Sequence, residues 1–289
     1  NEKAQEVADA IFSFIKENNI SIYNEKAKKG GIRHIIVKIG VKTNEIMCII
    51  VTNDNNIKNE NELVDTIKNK FPEVKTIVKN INNKNTNVIL GDKNIILYRD
   101  GYIFDKIDNY RFKISAKSFY QTNPIQTEKL YKKAIEFANL NENDILYDLY
   151  CGIGTIGICA SNNVKKVYGI EIVEEAVEAA KENAKLNNID NIEFIAGDVE
   201  VAFKKLLEED KVKPTAIIVD PPRRGLDNVT VSKIIETEVE KLVYISCNPA
   251  TMVRDIKMLE EKYELKELQP VDMFPFTSHV ECVCCMELK

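Results

Sequence analysis

From Ile145 onward, short apolar segments alternate with longer segments whose apolar residues recur at helical spacing. Strands buried on both faces are short apolar runs, whereas helices that cover a sheet are amphipathic. The predicted strands are Ile145–Tyr150, Lys166–Ile172, Ile192–Asp198, Thr215–Asp220 and Lys241–Cys247, followed by two closing strands, Glu264–Gln269 and His279–Leu288. The predicted helices begin near Thr155, Val173, Val199, Asn228 and Ala250. This alternation predicts an α/β fold with a doubly wound, Rossmann-like parallel sheet and right-handed crossovers.

The first part of the chain has a different pattern. The helical spacing of apolar residues between Ala4 and Ile15 predicts an amphipathic helix from Asn1 to about Lys16, and the pattern of Glu60–Lys70 predicts a second helix. The predicted strands, separated by Gly, Asn and Asp turns, are Ile32–Ile39, Glu45–Val51, Val74–Asn80, Val88–Leu90, Ile95–Leu97 and Arg111–Ile114. We therefore expect a smaller antiparallel α+β domain over residues 1–123 and a second domain over residues 124–289, opened by a helix over Ile125–Asn139.

Composition limits the class of protein. The chain of 289 residues is 44% hydrophobic and 29% charged, which excludes a disordered or collagenous chain. No stretch approaches the roughly 20 apolar residues that cross a bilayer, and the first residues lack a secretory signal, so we expect a soluble, cytoplasmic protein without a membrane partner. Residues 1–123 hold 20 Lys and Arg against 15 Asp and Glu, although the net charge of the chain is −5. This basic half could meet a polyanion, but a solvated surface explains it more simply.

The cysteines and histidines argue against a metal site. Seven cysteines are an odd number, and most lie far apart, which fits a reducing compartment better than a disulfide framework. Cys282, Cys284 and Cys285 lie in an apolar run, so burial in a strand explains them better than zinc does. With two histidines, His34 and His279, we expect no metal in this chain.

A glycine-rich loop follows the first strand of the predicted sheet. The segment Asp148–Gly157 has G-x-G-x-x-G spacing between a strand and a helix, where a nucleotide-type ligand can approach the backbone. Glu171 ends the next strand and is a candidate partner of ribose hydroxyls. The loop alone does not separate NAD from S-adenosylmethionine, but Asp148 suits the ammonium group of methionine and would repel a pyrophosphate. We therefore expect S-adenosylmethionine, with Asp148, Gly152 and Gly154 in its site.

Two aspartates follow later strands at the same edge of the sheet. Asp198 could accept a hydrogen bond from an adenine amino group, although a lone Asp there is more often a helix N-cap. Asp220 precedes two prolines, whose rigid turn would hold its carboxylate at the mouth of the pocket. Arg223 stands where methyltransferases of exocyclic base amines carry a stacking aromatic residue, so we expect a different acceptor atom.

A cysteine and a glutamate are candidate catalytic residues for methylation of an acceptor atom other than an exocyclic amine. Cys247 ends the fifth predicted strand, before a helix whose N-terminal end favours a thiolate, although a buried, inert cysteine is the usual alternative. Thiolate addition to C6 of a uracil makes C5 nucleophilic, and a base must later remove the C5 proton. Glu281 lies in an otherwise apolar strand and is the candidate base; a structural salt bridge is the alternative.

Three further candidates lie at the junction of the two predicted domains. The ring of Phe119 could stack on a base, and the amides of Gln121 and Asn123 could hydrogen-bond one. An ordinary linker explains the segment equally well.

These motifs occur together and in order. They are Phe119-x-Gln121-x-Asn123, Asp148-x-x-Cys151-Gly152-x-Gly154, Asp220-Pro221-Pro222-Arg223, Ser246-Cys247-Asn248-Pro249 and His279-x-Glu281. The set resembles the RNA uracil-5-methyltransferase family over residues 117–289. The resemblance implies Cys247 as nucleophile and Glu281 as proton-abstracting base, with S-adenosylmethionine converted to S-adenosylhomocysteine. It also implies that Gln121, Tyr150, Glu171, Asp198 and Asp220 surround the cofactor or the uracil.

The resemblance further implies a substrate and partners. We expect methylation of C5 of a uridine in RNA, giving 5-methyluridine. The Gly31–Val51 hairpin and Met273-Phe274-Pro275 look closer to the branch that modifies 23S ribosomal RNA than to the transfer-RNA branch, so ribosomal RNA is the preferred partner and tRNA the second. Full-length members often carry an N-terminal RNA-binding barrel, and some carry four cysteines for an iron–sulfur cluster; with neither here, we expect a catalytic fragment, and a monomer.

Two other classes of protein stay open on the sequence. An NAD-dependent oxidoreductase would use the same glycine loop. A non-enzymatic RNA-binding module is the second, although it leaves Cys247 and Glu281 without a role.

Overall fold

The computed structural model describes residues 1–54 and 56–289. Its helices are α1 (Glu2–Glu17), α2 (Glu60–Lys70), α3 (Pro124–Ala138), α4 (Thr155–Ala160), α5 (Glu174–Leu186), α6 (Val199–Phe203), α7 (Asn228–Thr237) and α8 (Pro249–Leu259). Its strands are β1 (Ile32–Ile39), β2 (Ile46–Thr52), β3 (Val74–Ile81), β4 (Lys93–Tyr98), β5 (Tyr102–Ile107), β6 (Tyr110–Ser115), β7 (Ile145–Leu149), β8 (Lys166–Glu171), β9 (Ile192–Ala196), β10 (Ala216–Val219), β11 (Lys241–Ser246), β12 (Tyr263–Val271) and β13 (Glu281–Leu288). The chain divides into two compact units, residues 1–106 with 113–118 and residues 107–112 with 119–289.

The first unit contains a four-stranded sheet in the order β1-β2-β3-β4. Helices α1 and α2 pack on this sheet, and residues such as Ile11, Leu63 and Cys48 share one buried core. The side chain of Asn1 caps α1 by accepting a 3.0 Å hydrogen bond from the backbone N–H of Lys3. Amphipathic spacing and this cap together account for the predicted first helix.

The sequence pattern predicts an antiparallel sheet here, but the strand pairing in the structure is mixed. Strands β2 and β3 run parallel, while β1–β2 and β3–β4 are antiparallel. The reason is that α2 lies between β2 and β3 in the chain, and a helical connection can return the chain to the same end of the sheet.

Two details of the predicted strands in this region were wrong. The predicted strand Val88–Leu90 is a loop, in which the amide of Asn82 donates hydrogen bonds of 2.7 Å to the carbonyl of Val88 and 3.0 Å to that of Ile89. Strand β5 had not been predicted; it pairs with β6 in a two-stranded sheet.

The second unit contains a seven-stranded sheet in the order β12-β13-β11-β10-β7-β8-β9. The five strands β11, β10, β7, β8 and β9 are parallel, and β13 and β12 add an antiparallel edge. Each parallel strand lies within a few residues of its predicted position. The predicted α/β class and Rossmann-like sheet are therefore confirmed.

Both faces of this sheet are buried, and this explains its apolar strands. Leu146 and Val243 belong to the core on one face, whereas their chain neighbours Tyr147 and Tyr244 belong to the core on the other. Successive side chains of a strand point to opposite faces, so a strand covered on both sides must be apolar throughout. Within the described ranges, no helix has the length and apolarity to span a membrane.

Candidate active site

A cavity of about 550 Å³ lies at the carboxyl edge of the parallel strands in the second unit. Open α/β sheets bind ligands at this edge, and the volume is that of a small-molecule site. The predicted site residues that line it are Phe119, Gln121, Tyr150, Gly152, Glu171, Asp198, Asp220, Arg223, Cys247 and Glu281. Residues that are far apart in the chain thus converge on one space. Asn123, Asp148 and Gly154 do not line the cavity.

The glycine loop between β7 and α4 uses its glycines for two different reasons. Gly152 has a φ of +54°, and a Cβ added to it would meet nothing within 4 Å, so its α-carbon faces open space. Gly154 has a φ of +81°, and a Cβ there would lie 2.7 Å from the ring of Phe194. Gly152 therefore leaves room at the cavity wall, whereas Gly154 allows the loop to pack.

Glu171 is held against this loop at the end of β8. One carboxylate oxygen accepts a 3.1 Å hydrogen bond from the backbone N–H of Gly152, and the other accepts a 2.9 Å bond from that of Val173. Each oxygen of a carboxylate has two lone pairs, so both can accept a further hydrogen bond. The geometry suits a carboxylate that receives ligand hydroxyl groups.

Asp148 lies fully buried beneath the loop rather than at the cavity wall. Its Oδ2 accepts a 2.8 Å hydrogen bond from the backbone N–H of Gly157, while its Oδ1 is buried without a partner among the described residues. Burial raises the pKa of this carboxyl to about 7, and the charge of Glu171 adds to that effect. An unpartnered buried acceptor costs free energy, so a cation near the loop would stabilise it.

Asp198 is the N-cap of α6 and also lies in the wall of the cavity. Its carboxylate caps the helix by accepting a 2.9 Å hydrogen bond from the backbone N–H of Val201.

The loop after β10 brings Asp220 and Arg223 to the cavity. Burial raises the pKa of Asp220 to about 8, and the nearby carboxyls of Glu281 and Asp148 contribute. The carbonyl of Arg223 accepts hydrogen bonds of 3.1 Å from the side-chain amide of Asn248 and 3.2 Å from the hydroxyl of Thr251. The start of α8 therefore fixes the backbone of the loop that carries the arginine.

Cys247 and Glu281 are brought together by the pairing of β11 with β13. The last pair in that antiparallel register is Ser246 with Cys282, so Cys247 and Glu281 are the next residues beyond it. Glu281 is 3% exposed, and burial raises its pKa to about 7 against the opposing effect of the Arg223 charge. The register therefore brings the thiol just past the end of β11 and the carboxyl at the start of β13 to the same cavity.

The pKa of Cys247 departs from the sequence-based expectation. The residue precedes α8, which was expected to favour the thiolate, yet its pKa is raised. Burial is the largest cause, followed by the charges of Glu281 and Asp220, while Arg223 alone among these neighbours lowers it. Desolvation and the two carboxyls disfavour the thiolate more than the arginine and a backbone hydrogen bond favour it, so the pKa is raised.

The junction residues separate into different environments. Phe119 is 73% exposed at the cavity, whereas Gln121 is buried in its wall. Asn123 is the N-cap of α3, where its side chain accepts from the backbone N–H of Gln126 and donates a 3.1 Å bond to the carbonyl of Met273.

Several lining residues had not been predicted. They are Ile170, Ile172, Gly197, Val199, Pro221, Pro222, Arg224, Asp227, Thr230 and Phe274. The hydroxyls of Tyr150 and Thr230 are 3.1 Å apart, which ties the glycine loop to α7. Apolar residues that end a strand or begin a helix carry no sequence signal that distinguishes them from core. Phe274 had a weak signal, because its segment was noted only for its resemblance to one branch of a family.

The arrangement combines the open space beside Gly152, the Glu171 carboxylate with free lone pairs, the Cys247 thiol and the buried Glu281 carboxyl of raised pKa. Such a set suits nucleophilic addition by the thiol, followed by proton transfer to the carboxylate. In the described part of the chain, no three His, Cys, Asp or Glu side chains are grouped to hold a metal ion.

Comparisons with known proteins identify one family. Residues 41–289 match the family model described as tRNA (uracil-5-)-methyltransferase. A Bacillus cereus protein described as an uncharacterized RNA methyltransferase is 49% identical over 94% of this chain and 59% of its own length. A Clostridium acetobutylicum protein with the same description is 47% identical, over 98% of this chain and 62% of its own length. The chain thus spans about three fifths of the length of these curated relatives.

Solved structures are similar as well. The Pyrococcus abyssi tRNA (uracil-54, C5)-methyltransferase, in complex with S-adenosylhomocysteine, superposes with a TM-score of 0.78 and 32% identity, covering 96% of this chain and 65% of that one. An M. jannaschii tRNA m1G37 methyltransferase is 18% identical with a TM-score of 0.54, covering 92% of this chain and 78% of its own, and it shows similarity of fold alone.

Proposed function

The chain belongs to the tRNA (uracil-5-)-methyltransferase family, and from this membership we propose that it transfers a methyl group from S-adenosylmethionine to C5 of a uridine in RNA. The observation that carries the proposal is the convergence of Cys247 and Glu281, which come directly after the last pair of the β11–β13 register, on the cavity that the glycine loop also lines. An NAD-dependent oxidoreductase or a non-catalytic RNA-binding module would use neither side chain.

The residues around the glycine loop fit S-adenosylmethionine. Gly152 leaves open space at the wall, and the carboxylate of Glu171 has free lone pairs for the ribose hydroxyls. The buried, unpartnered Oδ1 of Asp148 suits the positive end of the methionine moiety. Asp198 lies in the cavity wall, and in this proposal its carboxylate accepts a hydrogen bond from the adenine amino group. When bound, this cofactor supplies an electrophilic methyl group.

Cys247 acts as the nucleophile in this proposal. Its thiol loses a proton to solvent and the sulfur adds to C6 of the uracil, which makes C5 nucleophilic. C5 would then take the methyl group, with S-adenosylhomocysteine as the leaving group. Asp220, Gln121 and Arg223 line the same cavity and supply the polar groups that would hold the ring, and Phe119 offers an exposed aromatic face. The target uridine must leave its base stack to reach the thiol.

Glu281 acts as the base that completes the reaction. Its carboxylate takes the proton from C5, and the C6–S bond then breaks, returning the electron pair to the sulfur. A pKa of about 7 is suited to this task, because the group is partly ionised near neutral pH and still basic enough to accept a proton.

The RNA class is the finer part of the proposal. We propose 23S ribosomal RNA as the substrate, on the resemblance of the Gly31–Val51 hairpin and the Met273-Phe274-Pro275 segment to the ribosomal branch. The Pyrococcus abyssi enzyme is described as a tRNA (uracil-54, C5)-methyltransferase, so tRNA is the second candidate substrate. Both RNAs are therefore tested in the same experiment.

The test is intact-mass analysis after incubation with S-adenosylmethionine and RNA that carries 5-fluorouridine, followed by nuclease digestion. Fluorine at C5 cannot leave as a proton, so the covalent intermediate accumulates. We expect a methylated nucleotide adduct on the wild type with 23S ribosomal RNA and none on Cys247→Ala. An adduct with tRNA alone would overturn the choice of ribosomal RNA.

Cys159→Ala is the matched control, because Cys159 is a half-buried cysteine of α4 that does not line this cavity. It should form the adduct as the wild type does. An adduct on Cys247→Ala, or a wild type that binds S-adenosylhomocysteine yet forms no adduct with either RNA, would contradict the proposed mechanism.

A further inference from the structure

The loop before Glu281 contains a tight turn formed by residues 274–277. The backbone N–H of Thr277 donates a 3.1 Å hydrogen bond to the carbonyl of Phe274, and the Thr277 hydroxyl donates a second bond of 2.7 Å to the same oxygen. Pro275 occupies the second position of this turn, and Phe276, with a φ of +69°, occupies the third. This is the arrangement of a type II turn, whose third position strongly favours Gly or Asn.

Phe276 is therefore an unfavourable residue for its backbone conformation. A bulky L-residue with positive φ brings its Cβ close to the backbone, which glycine avoids. Burial of the ring would offset that cost, but the side chain is 108% exposed, as open to solvent as in an extended chain. Among the described residues, no ring or cation packs against it. Strain retained without a gain in packing points to a function for the side chain.

The turn is held firmly beside the cavity. Met273 is buried, and its carbonyl accepts the 3.1 Å hydrogen bond from Asn123 at the start of α3. Phe274 lines the cavity and its ring contacts His279 edge-on, with centroids 6.4 Å apart. The Cα of Phe276 lies within about 7 Å of that of Phe274, since two residues span no more than this. An anchored loop thus presents a solvated ring next to the cavity.

We propose that Phe276 is a stacking platform for an RNA nucleobase that flanks the target uridine, outside the cavity that takes the uridine itself. This inference rests on the proposed function. Unstacked bases in single-stranded RNA are commonly recognised by stacking on exposed aromatic side chains. A platform at the cavity rim would hold the strand beside a uridine that has left its stack, without touching the reacting atoms.

Loss of the Phe276 ring should weaken the binding of RNA and leave the binding of S-adenosylmethionine unchanged. Loss of one base–aromatic stack weakens binding by about 5- to 150-fold, so Phe276→Gly should raise the KM for RNA by a factor in that range. The KM for S-adenosylmethionine and the rate at saturating RNA should stay near those of the wild type. Because glycine suits the third position of the turn, the melting temperature of Phe276→Gly should equal or exceed that of the wild type.

The experiment measures methylation of unmodified 23S ribosomal RNA and unmodified tRNA, together with RNA binding, for the wild type, Phe276→Gly and Phe276→Tyr. Phe276→Tyr keeps an aromatic face and should retain the KM of the wild type. Phe12→Ala is the matched control, since Phe12 is an exposed aromatic residue on α1 that already lies under the Lys16 ammonium.

The outcomes separate the two proposals. The platform is supported if Phe276→Gly raises the KM for RNA without lowering the melting temperature, and if Phe276→Tyr keeps the KM of the wild type. Equal KM values for the wild type and Phe276→Gly would overturn it and leave the proposed methylation intact. A lower melting temperature with unchanged RNA binding would assign Phe276 a structural role. A wild type that neither binds nor methylates either RNA would overturn both proposals.

Discussion

The hydroxyl of Tyr244 donates a 2.6 Å hydrogen bond to the carboxylate of Asp255, and both side chains are fully buried. The same carboxylate oxygen accepts a 2.8 Å bond from the backbone N–H of Leu226. Arg254 pairs with Asp255 and also donates to the carbonyls of Arg224 and Leu226, at 2.9 and 3.0 Å. A buried carboxylate on α8 thereby fixes the backbone of the loop that carries Arg223 to the cavity.

Replacement of this carboxylate should destabilise the protein. Asp255→Ala leaves the Tyr244 hydroxyl and the Leu226 N–H buried without their acceptor, and each orphaned donor costs ~1–3 kcal/mol. We expect the free energy of unfolding to fall by about 2–5 kcal/mol in urea titrations. Tyr244→Phe is the control: it removes one hydrogen bond and should cost about 1 kcal/mol. Equal decreases in the free energy of unfolding of the two variants would show that the hydrogen bond from the Leu226 N–H to Asp255 does not contribute to stability.

The charge of Arg223 should set the pH dependence of methyl transfer. It lowers the pKa of both Cys247 and Glu281, and both groups act as anions in the proposed reaction. Activity should therefore rise with pH through about 7, where Glu281 ionises, and continue to rise as the raised pKa of Cys247 is approached. Removing a positive charge disfavours both anions, so Arg223→Met should move the rising limb to higher pH.

The measurement for this prediction is the rate at saturating RNA and S-adenosylmethionine across pH, so that weaker RNA binding does not enter. Arg223→Lys keeps the charge and should restore much of the wild-type profile. Arg224→Met removes a neighbouring arginine that also lines the cavity, and its midpoint should match that of the wild type. An unshifted midpoint in Arg223→Met would refute the electrostatic role.

The buried carboxyl of Asp148 should make the cofactor-free protein less stable as pH rises. Its pKa is raised from 3.8 to about 7, so the folded protein holds a proton that the unfolded chain has already lost. The contribution of this group to the free energy of unfolding is largest below pH 3.8. It decreases as the pH rises and levels off above about pH 7. Asp148→Asn removes the titration. We expect the variant to gain stability relative to the wild type with increasing pH, by at most about 4 kcal/mol at pH 8.

Asp144→Asn is a control of opposite sign. Burial alone would raise the pKa of Asp144, but hydrogen bonds from Thr215, Asn141 and Lys241 and the charge of Lys241 lower it overall. This carboxylate therefore contributes stability above pH 3.8 that is lost as the pH falls. Asp144→Asn should be less stable than the wild type at pH 7, with a difference that shrinks in acid. Parallel pH profiles for the two variants would contradict both assignments.

Local patterns predicted the seven-stranded sheet well because each of its parallel strands is covered on both faces. Burial on two sides demands continuous apolar runs, such as the one that forms β10, and these are visible without any knowledge of neighbours. The first unit was predicted less well. The parallel pairing of β2 with β3 depends on the path of the chain through α2, and the loop at Val88–Leu90 is held by a side-chain amide, that of Asn82, which a strand pattern does not take into account.

Of the candidate site residues, those with distinctive local chemistry could be recognised from the sequence. A cysteine at the end of a strand and a glutamate within an apolar one are anomalies that call for an explanation, and both Cys247 and Glu281 line the cavity. Asn123 had no such distinction, since a capping asparagine and a ligand-binding asparagine are the same residue in a sequence.

The class of fold, the order of the strands along the chain, the glycine loop and the chemical identity of the groups that could react can all be predicted from local sequence patterns. The three-dimensional fold was needed to show which strands are neighbours, that Cys247 faces two carboxyls and one arginine, and that Phe276 stands exposed on a strained turn. The difference lies in the distance along the chain over which each interaction acts. Periodicity and turn chemistry act over a few residues, whereas desolvation, charge–charge interactions and strand register join residues that are tens of positions apart.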